Sequence, residues 1–167
     1  MTDPGSEVAE ACLRALHHRS ATLATAESLT AGLVVSTLAT IPGASDVLRG
    51  GLAAYATEVK VDVLGVDSEV IARVGVISAE CAEQMALAAR DLFRADWAVA
   101  TTGVAGPDSQ DGHPPGEVYV AVAGPENLVS SQRLMLTGDR QQIRSASVDG
   151  VLELLLTALE HTDRRGP

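Results

Sequence analysis

Aromatic side chains are nearly missing from this chain, which has one Trp, one Phe and two Tyr in 167 residues. A core without rings has to be packed from Ala, Val and Leu, which suits helices laid closely on a sheet and points to α/β layering. Basic runs are missing too: the formal net charge is −10, and no basic, aromatic-studded strand offsets it. Such a surface repels a phosphate backbone, which argues against nucleic acid as a direct ligand. Cysteine is limited to Cys12 and Cys81, far apart in helix-like segments and in no CxxC or Cys/His spacing. That argues against zinc and reads as two buried packing residues in a reducing compartment. No apolar run approaches the roughly 20 residues needed to cross a bilayer, and Met1 to Ser6 lacks the regions of a leader peptide. The expected setting is the cytoplasm, with no membrane and no metal.

Length and even composition imply one domain over residues 1–167, with a core of about 6–162 and frayed ends. Val8, Cys12, Leu13 and Leu16 recur at helical spacing after Pro4-Gly5-Ser6, giving a first helix that ends near His17-His18-Arg19. Thr22 to Ala26 reads as a strand, Ala31 to Ala39 as a helix stopped by Pro42-Gly43, and Gly51 to Tyr55 as a second strand. A helical turn over Thr57 to Leu64 follows. Ser78 then serves as N-cap for a long helix from Ala79 to about Arg94. The apolar run Trp97 to Thr101 is the mark of a strand covered on both faces. Val118 to Ala123 and Val129 to Leu136 are antiparallel neighbours joined by a short turn, and a last helix opens at Asp139 with Gln142 as a capping-box partner. The expected fold is a three-layer α/β/α sandwich on a mixed, mostly parallel sheet of about five strands.

Lysine is the scarcest basic residue, since eleven of the twelve are Arg and Lys60 stands alone. Arginine can fill nearly every surface role of lysine but cannot lose its proton near neutral pH, so a lone lysine is a candidate general base. Lys60 also reads as an ordinary exposed lysine on a short helix. Ser28 sits where a strand hands over to a helix, a place that suits a nucleophile with backbone N–H groups beside it, and equally suits an N-cap. Tyr55, five residues before Lys60, could relay a proton or hold the amine, or could simply pack at a strand end. None of the four histidines stands in a Ser-His-Asp arrangement. Arg140 and Arg144 share a face at the start of the last helix, which suits a phosphate as well as a solvated helix start. The run Gly103-Val104-Ala105-Gly106 matches neither the dinucleotide nor the P-loop pattern.

Six blocks in order, TAESLTAG (Thr25 to Gly32), PGAS (Pro42 to Ser45), AYATEVK with LGV (Ala54 to Val66), TTGVAGP (Thr101 to Pro107), PGEV (Pro115 to Val118) and GDRQQIR (Gly138 to Arg144), resemble the CinA C-terminal domain family. Its stand-alone members are nicotinamide-nucleotide amidases, and the resemblance implies the stand-alone form here. It also implies Ser28 as nucleophile, with Tyr55 and Lys60 completing the site. Substrate contacts are implied for Leu29, Thr30, Gly32, Gly43, Ser45, Thr102, Gly103, Ala105, Gly106, Arg140 and Arg144. The implied reaction converts nicotinamide mononucleotide to nicotinate mononucleotide and ammonia through a serine acyl-enzyme, with no cofactor, in a homodimer. A non-catalytic module that binds a pyridine nucleotide or a protein partner, linked to competence or DNA repair, is the alternative. The sequence departs from the family pattern at Leu29 (Cys in many relatives), Ala31 (Gly) and Ala56-Thr57 (Ser-Asn). Ala31 bears on the oxyanion donors and hence on rate.

Overall fold

The computed structural model describes residues 4–165; Met1–Asp3 and Gly166–Pro167, part of the ends read above as frayed, lie outside the described residues. The elements run α1 (Pro4–His18), β1 (Leu23–Glu27), α2 (Leu33–Ala39), a 3-10 turn (Ala44–Asp46), β2 (Leu48–Ala53), α3 (Thr57–Asp62), α4 (Ser68–Val74), α5 (Ala79–Phe93), β3 (Trp97–Gly103), β4 (Glu117–Ala123), β5 (Val129–Met135) and α6 (Arg140–Arg165). The strands form one sheet in the order β2-β1-β3-β4-β5. β1 is parallel to β2 and β3, whereas β4 pairs antiparallel with both β3 and β5. Four strands therefore share a direction and β4 alone opposes them.

Side chains alternate across a strand, and here the alternation sorts by size. Leu23, Trp97, Val99, Val118, Val120 and Val122 face α1, α2 and α6. The opposite face presents Ala24, Ala26, Ala98, Ala100, Ala121 and Ala123 to α5. A sheet face made of methyl groups lets one helix approach closely, while the branched face fills the wider space under three helices. Among the described residues no helix is long and apolar enough to cross a membrane.

Two helix starts follow the expected caps. Ser78 Oγ accepts the Cys81 N–H at 3.2 Å. At α6, Asp139 and Gln142 bond reciprocally, N–H to side chain, at 2.8 and 2.9 Å. Other boundaries move. α1 begins at Pro4 and takes in the turn-prone triplet, since a first-turn proline loses no helix bond. α2 starts at Leu33, because Ala31 (φ 50°) and Gly32 (φ 96°) are both left-handed. β2 covers Leu48–Ala53 and leaves Tyr55 beyond its end, and α4 was not expected at all. The tail is helical to Arg165, and Arg19 bonds both the Leu159 carbonyl and the Asp163 carboxylate.

β1 has β2 on one side and β3 on the other, so chain connections diverge on either side of its carboxyl end. That is the place where open α/β sheets form their binding crevices. Because β4 runs backwards and β5 returns, the amino ends of β4 and α6 also reach this edge.

Candidate active site

Ser28 is the first residue beyond β1, and its N–H donates to the Thr101 carbonyl at 2.9 Å. The turn that follows is tied down by Glu27, 1% exposed. Its carboxylate accepts from the Thr25 and Thr30 hydroxyls and from the N–H groups of Gly32, Val34 and Val35, all within 2.8–3.1 Å. Thr101 Oγ1 lies 2.7 Å from Thr30 Oγ1, which itself donates to Glu27. One buried carboxylate thus fixes the end of β1, the start of α2 and the Ser28 turn between them.

Lys60 arrives from α3 and is 2% exposed. Its Nζ lies 3.0 Å from Ser28 Oγ, 2.8 Å from the Ala54 carbonyl and 3.2 Å from the Tyr55 carbonyl. Carbonyls can only accept, so they fix two of the amine's N–H bonds. In the uncharged amine the remaining direction holds the lone pair, which then faces the Ser28 hydroxyl and can accept its hydrogen bond. Burial pushes the Lys60 pKa below its ordinary 10.5, with Cys81 and Glu58 acting against that shift. Burial pushes the Cys81 thiol up to about 11, the Lys60 amine acting against it, so Cys81 is no competing nucleophile near neutral pH.

A cavity of about 150 Å³ opens beside this pair, lined by Ser28, Leu29, Tyr55, Lys60, Thr102, Gly103, Ala105, Gly106 and Arg140, with Thr57, Val76, Ile77, Val104, Asp108 and Gln110. Arg140 crosses its mouth, donating to the Gly106 carbonyl at 2.7 Å and to the Tyr55 hydroxyl at 2.8 Å. Gly103 has no room for a side chain, since a Cβ there would lie 2.6 Å from the Glu117 carbonyl oxygen. The wall beyond it is braced by Glu117, which meets His113 Nδ1, Arg133 Nη2 and the Tyr119 hydroxyl, each at 3.0 Å. Burial would raise the Glu117 pKa, but these partners outweigh it and hold the carboxyl below its ordinary range.

Several expected residues are placed differently. Tyr55 holds Lys60 through its main-chain carbonyl, while its phenol is turned to Arg140 and the residue is 58% exposed. Thr102 gives its hydroxyl to the Val76 carbonyl at 2.7 Å. Thr30 is fully buried behind the turn, and Gly32 N–H is taken by Glu27. Arg144 diverges from Arg140 and bonds the carbonyls of Leu29 and Thr30 at 2.9 and 2.8 Å. Gly43 and Ser45, expected to touch substrate, precede β2, whose start pairs with Leu23, so they lie a strand length away at the opposite edge of the sheet. Sequence reasoning passed over Glu27. The signal was a charged residue closing an otherwise uncharged buried strand, a place that demands partners.

The arrangement is a hydroxyl bonded to a buried amine beside a polar cavity, a pairing that acyl transfer can use. The sequence profile described as the CinA C-terminal domain matches residues 5–159. A CinA-like protein of Frankia casuarinae is 45% identical over 84% of this chain, and one of a Synechococcus species is 45% identical over 89%. The chain spans about a third of the length of those relatives, 32% and 36%. A CinA superfamily protein from Klebsiella pneumoniae superposes with TM-score 0.91 at 30% identity, covering 95% of this chain and 99% of that one. A competence/damage inducible protein from Agrobacterium tumefaciens gives 0.89 at 33% identity, covering 96% and 98%. With the profile spanning nearly all of its length, the chain belongs to the CinA C-terminal domain family.

Proposed function

We propose that the protein is an amidohydrolase that converts nicotinamide mononucleotide to nicotinate mononucleotide and ammonia. The observation that carries this reading is the 3.0 Å contact between Lys60 Nζ and Ser28 Oγ, with the amine's other directions fixed on two carbonyls. Lys60 takes the Ser28 proton as Oγ bonds to the carboxamide carbon, and the oxyanion is met by backbone N–H groups of the turn. The C–N bond breaks as Lys60 returns the proton to nitrogen, so ammonia leaves and an ester on Ser28 remains. Water, deprotonated by Lys60, then attacks that ester to release the acid and restore the serine. The sum is amide plus water to acid plus ammonia.

The cavity accepts the amide end of the substrate, leaving the ribose phosphate near Arg140 at the mouth. Ammonia release by the purified protein tests the reading. Wild type is expected to turn over and Ser28→Ala to lose at least about 10³-fold. A wild type that binds the nucleotide without releasing ammonia moves the protein to the binding-module class.

A further inference from the structure

We propose that Asp108 and Gln110, on the loop between β3 and β4, form a subsite for the hydroxyl groups of a ribose at the mouth of the Ser28 cavity; this deepens the hydrolase reading above and rests on it. Most polar side chains of that cavity are already occupied. Ser28 and Lys60 bond each other, Tyr55 and Arg140 do the same across the mouth, and the Thr102 hydroxyl is given to the Val76 carbonyl. Thr57, Asp108 and Gln110 are left, and their side chains make no hydrogen bond or ion pair among the described residues. Thr57 stands on α3 with Lys60, whereas Asp108 and Gln110 share one loop. Asp108 does not pair with Arg140 although both line the cavity, so carboxylate and guanidinium each stay available for a different part of a ligand.

The loop is shaped to present them. Gln110 and His113 exchange both main-chain bonds, at 3.0 and 2.8 Å, around Asp111 (φ 51°) and Gly112 (φ 82°). Two left-handed residues, with Asp-Gly a favoured pair, close a two-residue hairpin. Since its main-chain N–H and C=O are both spent on His113, what Gln110 has to offer the cavity is its carboxamide. The other arm of the hairpin is pinned, because His113 Nδ1 lies 3.0 Å from the carboxylate of Glu117, which is only 4% exposed. A side chain carried on a fixed hairpin gives up less freedom on binding than one on a mobile loop. The groups also fall in the order that a nucleotide needs. Ser28 and buried Lys60 mark the reacting end, and a cavity of about 150 Å³ is small for a whole drug-sized ligand, so it takes the carboxamide ring and leaves the sugar at the rim. Asp108 and Gln110 are exposed, as rim residues must be. A carboxylate only accepts and so pairs with O–H donors, while a carboxamide both donates and accepts. A vicinal diol supplies that set, and a bare pyridine amide does not.

The experiment measures equilibrium binding to the full chain carrying Ser28→Ala, which prevents turnover, alone and with Asp108→Ala or Gln110→Leu added; thermal melts verify folding. The probes are nicotinamide riboside, its 2′,3′-dideoxy analogue and the N-methylnicotinamide cation, none of which brings a phosphate to Arg140. The parent is expected to bind the riboside at least about 10-fold more tightly than the dideoxy analogue. Asp108→Ala should weaken the riboside about 10-fold and Gln110→Leu about fivefold, with the dideoxy analogue held within about twofold in both. Riboside and dideoxy analogue binding alike to the parent would overturn the subsite. So would an equal loss on all three probes in Asp108→Ala, which would make that carboxylate a partner for the ring's positive charge. A parent that binds none of the probes overturns it as well. Ammonia release from nicotinamide mononucleotide by wild type is scored separately. The expected binding pattern without ammonia upholds the subsite and overturns the hydrolase reading, whereas ammonia release with binding blind to the hydroxyls overturns the subsite alone.

Discussion

Glu27 and Lys60 are equally deep, 1% and 2% exposed, and both reach Ser28, one as the residue before it and the other across from α3. Their surroundings differ in kind. Glu27 meets five donors, three of them backbone N–H groups at the start of α2, so its charge is fully answered. Lys60 meets two carbonyls and the serine hydroxyl but no carboxylate. A buried charge with every lone pair occupied holds a structure together. A buried amine without a counter-ion gives up its proton readily, which is what a base must do.

The comparison breaks first on activity. Lys60→Met should cost about 10³-fold in kcat, within the range for a removed general base, as measured by ammonia release. In wild type, kcat/KM should climb with pH and level off at an apparent pKa below 10.5, because burial depresses the amine. A rate that falls across that range would remove Lys60 from the base role. Next in size is Glu27→Gln, which turns an NH₂ group towards N–H donors. We expect a loss of about 3 kcal/mol in denaturant unfolding.

Lys60→Met should do the reverse and stabilise the fold by about 1 kcal/mol at pH 7, since an uncompensated buried amine is removed. The sign of its pH dependence follows from the depressed pKa. Between the lowered folded value and 10.5 the unfolded chain holds the extra proton, so wild-type stability rises with pH and the advantage of the variant shrinks. Melting curves at pH 6 and pH 10 check this. The smallest effect is expected at Ala31, whose φ of 50° is costly for a residue with a Cβ. Ala31→Gly should raise stability by about 0.5 kcal/mol, read as a small increase in Tm.

How much of this was legible in the sequence depends on the kind of interaction. Strands and long helices were, because periodicity and caps are local: Ser78 and the Asp139–Gln142 pair close their helices as their spacing suggests. The start of α2 was not, since two left-handed residues in succession leave no periodic trace. Lys60 could be singled out by scarcity alone, and Ser28 by its place between strand and helix. The separate roles of Arg140 and Arg144 could not, because a four-residue spacing gives a shared face but not what lies across from it. Only the packing of α6 against the turn sends one guanidinium to Leu29 and Thr30 and the other to Gly106 and Tyr55. Gly43 and Ser45 were misplaced for a similar reason: strand pairing decides which edge a loop occupies.

A sole lysine, buried and lining the cavity, gives carbonyl reagents a single side-chain amine to meet. An aldehyde small enough to enter finds no competing lysine on the exterior. Borohydride reduction of the resulting imine would leave a permanent tag at position 60, and a cavity-filling amide would shield it, which turns occupancy into a mass difference.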